Sequence, residues 1–223
     1  MSADLASDYD RDMNPVFFGI RAKIIKRLIN GHKPKKALDI GCGTGVFLDY
    51  FHNDFKAAIG IDRSEVMINF AGKNHKRKNI KYILGNDAPL PFDENSFDLV
   101  LSMGILEYSK NQKKHVDEAL RVLKKNGILF LTTPTKMMNI YMIARVFGLA
   151  AARYWKISKY LSFGELEKLI DEDSAEIVEH KVLFFNPSGI RLFDIFFNAV
   201  SRAASGKLNR YLFGPQYIIV RKK

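Results

Sequence analysis

The 223-residue sequence predicts an α/β protein, doubly wound around a mostly parallel seven-stranded sheet with helices on both faces. Three observations carry that prediction. Short apolar runs alternate with segments of helical periodicity from residue 36 to residue 134. The runs have near-continuous apolar cores, which marks strands covered on both faces and hence a parallel sheet. The first run also leads through a glycine turn, Gly41-Cys42-Gly43-Thr44-Gly45, straight into a helix. That strand–turn–helix unit is how doubly wound folds hold a ligand at the carboxyl ends of their strands.

The elements follow in order. Residues 14–30 read as a helix, with Pro15 near its start and Asn30-Gly31 as its stop. Residues 36–40 are the first strand. Residues 45–54 are a helix, with Val46, Phe47, Tyr50 and Phe51 at helical spacing. Residues 57–62, "AAIGID", form a strand closing on an acid, and 64–74 a helix with Ser64 as N-cap. Strands at 80–86 and 97–103 come next. A helix over 113–127 is stopped by Asn126-Gly127, and 128–134 is the fifth strand. After Pro134 the rhythm changes to helices near 136–154 and 163–171, a strand at 175–185 and a last strand at 214–223. Residues 186–213 are too long for a hairpin loop and read as a helical lid inserted before the last strand. The chain divides as one domain into an N-terminal helical cap (1–34), a ligand-binding core (35–134) and helical substrate or lid segments (135–174 and 186–213).

Composition is that of a globular domain. The single cysteine, Cys42, excludes an internal disulfide framework and a cysteine metal cluster, and no metal site is expected. The N-terminal "MSADLASDYDRDMNP" is acidic and polar, unlike a secretory or transit leader. The apolar stretch 137–155 is interrupted by Asn139, Arg145 and Arg153, so it is not read as membrane-spanning. The expected location is the cytoplasm, with peripheral contact to the inner membrane surface as an extension of it. The formal charge of +11 allows an anionic partner or simple solubility. Its basic residues are scattered, apart from a knot at Lys73, Lys76, Arg77, Lys78 and Lys81.

The glycine spacing G-x-G-x-G departs from the dinucleotide fingerprint G-x-G-x-x-G. Asp39, two residues before Gly41, is a poor neighbour for a pyrophosphate and a good one for a cationic ligand. The strand ends place Asp39, Asp62, Asn86-Asp87 and Ser102 along one rim of the sheet.

These stretches together resemble the motifs of class I S-adenosylmethionine-dependent methyltransferases of the small-molecule type, with a ubiquinone/menaquinone-methyltransferase-like core. The resemblance runs through "LDIGCGTG", "IGIDRSEVMINFA", "GNDAPLPFDENSFDLVLSMGILEY" and "EALRVLKKNGILFLTTP", over about residues 35–134. It implies a Rossmann-like fold and S-adenosyl-L-methionine as cofactor. By the same resemblance Gly41, Cys42, Gly43 and Gly45 approach the methionine part and ribose, and Asp39 faces the ammonium. Asp62 accepts from both ribose hydroxyls, or else caps the next helix. Arg63 lies along the adenine. Asp87 accepts from its amino group, or is a turn acid before Pro89, and the Ala88 N–H meets a ring nitrogen. Ser102 and Met103 line the methionine pocket, and Tyr9 folds over it.

Methyl transfer from a sulfonium is an in-line displacement that needs alignment and exclusion of water, plus a base only where the acceptor starts protonated. Candidate bases are Glu107 and Tyr108, where many relatives carry a histidine, and His115, which reads first as a surface histidine. No Asn-Pro-Pro-Tyr run follows the fourth strand, and no cysteine is placed to attack a cytosine, so nucleic acid is not the favoured acceptor. In 190–204 the polar residues Arg191, Asp194, Asn198 and Arg202 line one side of a very apolar helix. That helix is buried in the core, lines an acceptor pocket or lies on a membrane. The reading is O-methylation of a small hydrophobic or amphiphilic, lipid-like acceptor. The alternatives are RNA methylation and cofactor binding without transfer.

Overall fold

The computed structural model describes residue 6 and residues 15–136, 160–183 and 215–223. Tyr9, residues 137–154 of the expected helix and the 186–213 lid lie outside them. Seven strands form one sheet: β1 (Lys36–Ile40), β2 (Ala57–Asp62), β3 (Ile80–Leu84), β4 (Phe97–Met103), β5 (Leu123–Pro134), β6 (Ala175–Val182) and β7 (Pro215–Lys222). Their spatial order is β3-β2-β1-β4-β5-β7-β6. Pairs among β1 to β5 are parallel, and β7 runs antiparallel to both β5 and β6. The sheet is therefore the mixed, mostly parallel one expected.

Strand alternation sends successive side chains to opposite faces, and each face has its own core. Leu38, Ile40, Val100, Leu129, Leu131, Ile218 and Val220 pack with Val116, Ala119 and Leu120 of helix α4 (Gln112–Val122) and Leu166 of α5 (Phe163–Glu167). On the other face Ala37, Leu99, Leu101, Ile128, Phe130 and Ile219 pack with Ala22, Ile25 and Leu28 of α1 (Pro15–His32). Phe47 and Leu48 of α2 (Val46–Tyr50) belong to the same cluster. Helix α3 (Glu65–Asn74) begins at the expected cap, with Ser64 Oγ accepting from the Met67 N–H. A capping box of Ser162 and Glu165 opens α5.

Several boundaries differ from the sequence reading. Helix α1 continues through Asn30-Gly31 to His32, because Lys33 takes the left-handed conformation (φ 48°) and its N–H reaches Ile29 O at 2.8 Å. Pro34 follows and cannot continue a helix. The expected helix 113–127 is α4, which stops at Val122. Beyond it Leu123 pairs with Phe97, and the chain is already in β5 when it passes Asn126 (φ 63°) and Gly127. The free carbonyls at the α4 end are met from outside the helix. The Asn95 and Ser96 N–H groups donate to Arg121 O and Val122 O, and Lys222 Nζ donates to Arg121 O and Leu123 O. The 45–54 helix is α2 followed by a separate 3-10 turn over His52–Asp54. The 163–171 helix shortens to α5, β3 ends at Leu84 and β6 ends at Val182.

Gly45 precedes α2 at φ 81°, and a Cβ there would lie 2.5 Å from the Tyr82 ring. The Tyr82 hydroxyl in turn donates to Gly45 O at 3.3 Å. Gly45→Ala combines left-handed strain with overlap on a packed ring. It should cost about 2–4 kcal/mol of stability, measurable as a lowered urea midpoint.

Candidate active site

In a doubly wound sheet the ligand crevice opens where successive crossovers leave in opposite directions. Here that point lies between β1 and β4, and the crevice above it is lined by Gly41, Ile61, Asp62, Arg63, Gly85, Asp87 and Ile105. Gly41 (φ 72°) lies against Ile105, whose Cβ would be 2.8 Å from any Cβ added at residue 41. A wider groove at the other end of β1 and β2, lined by Lys33, Lys35, Asp54 and Lys56, lies away from this rim.

The glycine turn spends its donors inside the protein. The Gly41 and Cys42 N–H groups donate to Ile61 O at 2.8 and 3.1 Å, and Gly45 N–H donates to Cys42 O at 2.9 Å. Gly43 N–H donates to Asp62 Oδ2 at 2.9 Å, while Asp62 Oδ1 accepts from Ser64 N–H at 2.8 Å. A phosphate cradle needs such amides free and pointing at the ligand. With four of them engaged and an acid at the rim, this turn is built for a ligand whose hydroxyls and cationic groups donate. Each Asp62 oxygen keeps further acceptor capacity. The Cys42 side chain is buried, its sulfur 2.7 Å from where a Cβ on Gly60 would stand, so only its backbone belongs to the turn. Burial pushes its thiol well above the ordinary range, with Asp39 and Asp62 adding to the shift.

Asp39, at 2% exposure, stands behind the turn. Burial raises its carboxyl to about 8; the charge of Asp62 adds to the rise and Arg21 opposes it. Arg21 reaches from α1 to donate to Thr132 Oγ1 at 3.0 Å. Glu107, at 1% exposure, lies in the 3-10 turn Leu106–Tyr108 after β4 and accepts from Thr133 Oγ1 at 3.2 Å. Burial pushes its carboxyl up to about 7, with its backbone N–H, Arg21 and Thr133 holding it lower than burial alone would. Tyr108 is half-buried in the same turn, and Met103 is half-buried at the end of β4.

His115 corrects the sequence reading: it is fully buried, not on the surface. Its Nδ1 lies 2.9 Å from Asp87 Oδ2 and its Nε2 2.8 Å from the buried Ser102 Oγ. The bond to His115 is the main reason the Asp87 carboxyl is held down at about 2. Arg63 is exposed beside the crevice and Ala88 is half-buried after Asp87. The rim thus gathers Asp39, Gly41, Gly43, Asp62, Arg63 and Asp87, with Ser102 and His115 behind it and Glu107 one turn beyond β4. Sequence reasoning missed Arg21, Gly85 and Ile105. Arg21 carried a signal, being a lone cation amid the apolar face of α1. Among the described residues no group of three or more metal-ligating side chains is gathered, and no helix is long and apolar enough to cross a membrane.

Comparison with known proteins agrees with this geometry. Residues 38–131 match the family described as methyltransferase domain. An uncharacterized protein of Methanocaldococcus jannaschii is 36% identical over 129 residues, 56% of this chain and 57% of its own length. A ubiquinone biosynthesis O-methyltransferase of Pelagibacter ubique is 35% identical over 153 residues, 65% of this chain and 60% of its own. The match therefore spans less than two thirds of either relative. A Thermotoga maritima structure, a SAM-dependent methyltransferase described as a possible histamine N-methyltransferase, shares the fold. Its TM-score is 0.68 at 22% identity, over 99% of this chain and 97% of that one. The chain carries a class I S-adenosylmethionine-dependent methyltransferase domain.

The raised carboxyl of Asp39 makes stability depend on pH. The folded chain keeps this proton up to about pH 8, whereas the unfolded chain releases it near 3.8. Asp39 therefore takes stability away as pH rises through that window, since the folded state binds the extra proton. Asp39→Asn should flatten the fall in urea midpoint between pH 5 and pH 8. An unchanged slope would show that Asp39 ionises normally.

Proposed function

We propose that this chain transfers a methyl group from S-adenosyl-L-methionine to a small, hydrophobic or amphiphilic acceptor, with a hydroxyl oxygen as the favoured acceptor atom. The observation that carries the reading is the glycine turn whose amides are already engaged, flanked by Asp39, Asp62 and Asp87. These residues fit the cofactor, which offers an ammonium, two ribose hydroxyls and an adenine amino group as donors and no phosphate.

Asp39 would pair with the ammonium and Asp62 would accept from the ribose hydroxyls. Gly41, Gly43 and Gly45, with the Cys42 backbone, bring the main chain against the methionine part and ribose. Arg63 would lie along the adenine, Asp87 would accept from its amino group and the Ala88 N–H would meet a ring nitrogen. Met103 and the β4 end at Ser102 would back the methionine side. The bound cofactor supplies a methyl group on a sulfonium, already activated by its charge. The protein's share is to align the acceptor and keep water out.

A hydroxyl acceptor must also lose its proton. Of the three candidate bases, Glu107 is the best suited: it follows β4, is almost fully buried, and is poised at about 7. A base poised near neutrality combines availability with driving force. Tyr108 stands beside it in the same turn, and His115 is committed to Asp87 and Ser102. The resemblance to a ubiquinone biosynthesis O-methyltransferase supports an oxygen acceptor on a hydrophobic molecule.

Calorimetric titration tests the cofactor. S-Adenosylmethionine should bind, and Asp62→Ala should abolish binding. An ammonium that pairs with ionised Asp39 displaces its proton, so binding at pH 7 should release about one proton, read from the dependence of the heat on buffer ionisation. Folded protein without affinity for the cofactor would refute the reading. With an acceptor found by label transfer into lipid extracts, Glu107→Gln should lower kcat by about 10²–10⁴-fold and leave cofactor affinity unchanged. The wild-type rate should rise with pH through about 7 as Glu107 loses its proton.

A further inference from the structure

Asp87, His115 and Ser102 come from the loop after β3, from α4 and from β4, and they meet in one continuous chain of hydrogen bonds. The sequence of groups is that of a hydrolytic acid–imidazole–hydroxyl set. Ser102, however, exposes none of its surface, and a nucleophile must reach a substrate. The set therefore has another task.

Its proton pattern follows from the chemistry of each group. An ionised carboxylate only accepts, so Nδ1 of His115 carries the proton that joins the ring to Asp87. In the neutral ring the opposite nitrogen offers only a lone pair, and the Ser102 hydroxyl donates to it. One carboxylate oxygen, Oδ2, is thus committed to a buried ring that cannot turn away. The remaining acceptor capacity of Asp87 faces the crevice it lines. With its carboxyl held at about 2 by the His115 bond, and with Ser109 also donating, Asp87 meets a ligand as an acceptor and not as a donor.

We propose that His115 is a positioning residue for base selection: by fixing Asp87 as an acceptor, it makes the crevice choose a nucleobase with an exocyclic amino group over one with an oxo group there. This rests on the reading that Asp87 meets the adenine of the cofactor. An amino group donates to the fixed oxygen. An oxo group faces it with a second acceptor, and the buried pair goes unmet.

The test compares S-adenosylhomocysteine with its hypoxanthine counterpart, S-inosylhomocysteine, by calorimetry on the full chain. The wild type should prefer the adenine ligand by at least about tenfold. His115→Phe should bring the two affinities together, whereas a purely structural role would weaken both equally. A folded His115→Phe variant that keeps the full preference would overturn the proposal. Should that variant fail to fold, the wild-type histidine nitrogen spectrum decides. A proton on Nδ1 and none on Nε2 of His115 supports the proposal, and the opposite tautomer overturns it. Wild-type protein that binds neither ligand would instead overturn the cofactor reading beneath it.

Discussion

The rim of this sheet depends on one carboxylate. Asp62 closes β2 and reaches across to Gly43 of the turn after β1, while its other oxygen holds Ser64 at the entry to α3. It thereby ties together the ends of two neighbouring strands and the start of a helix. Charge-assisted bonds from backbone amides to a carboxylate are among the stronger ones in a protein. They also settle what the turn can hold. A turn whose amides already have an anion of their own has no use for a second one. Ile61 O takes two more amides of the same turn, so an internal network replaces the phosphate that other doubly wound proteins bind at this place.

That arrangement crowds negative charge, and the protein meets it by burial and by distance. Asp39 is driven toward its protonated form by its surroundings and by Asp62. Asp87 goes the other way, held ionised by the His115 ring and the Ser109 hydroxyl. Glu107 lies between these extremes. Three acids near one crevice thus have three different proton affinities, set by what each one touches. Environments that push carboxyls apart in this way are what separate binding from proton transfer within one site.

Much of this was legible in the chain. The alternation of apolar runs and helical segments gave the layers, and the acids closing the runs gave the rim, because a parallel strand ends where its ligand begins. What escaped were groups whose role is decided by partners far away in sequence. His115 was readable in principle: it shares a helical face with Ala119 and Val122, all buried, but a histidine among lysines looks solvated. Arg21 is 111 residues from Thr132, a distance no local pattern bridges. Asn126-Gly127 has the composition of a helix stop, yet the helix had already ended, since Asn95, Ser96 and Lys222 satisfy its last carbonyls from other parts of the chain.

The position of β7 has a consequence for the order of assembly. Although it follows β6 in the chain, it lies between β5 and β6, running against both. Among the described residues β6 pairs with no other strand. During synthesis β1 to β5 can associate as they emerge, but β6 must wait with its backbone groups unsatisfied until residues 215–222 arrive to join it to the rest. Contacts such as Lys222 to Leu123, 99 residues apart, form last, and long-range pairing of this kind slows folding. The half of the sheet that carries the crevice can therefore take shape first, and the half beyond β5 closes over it in a single late step.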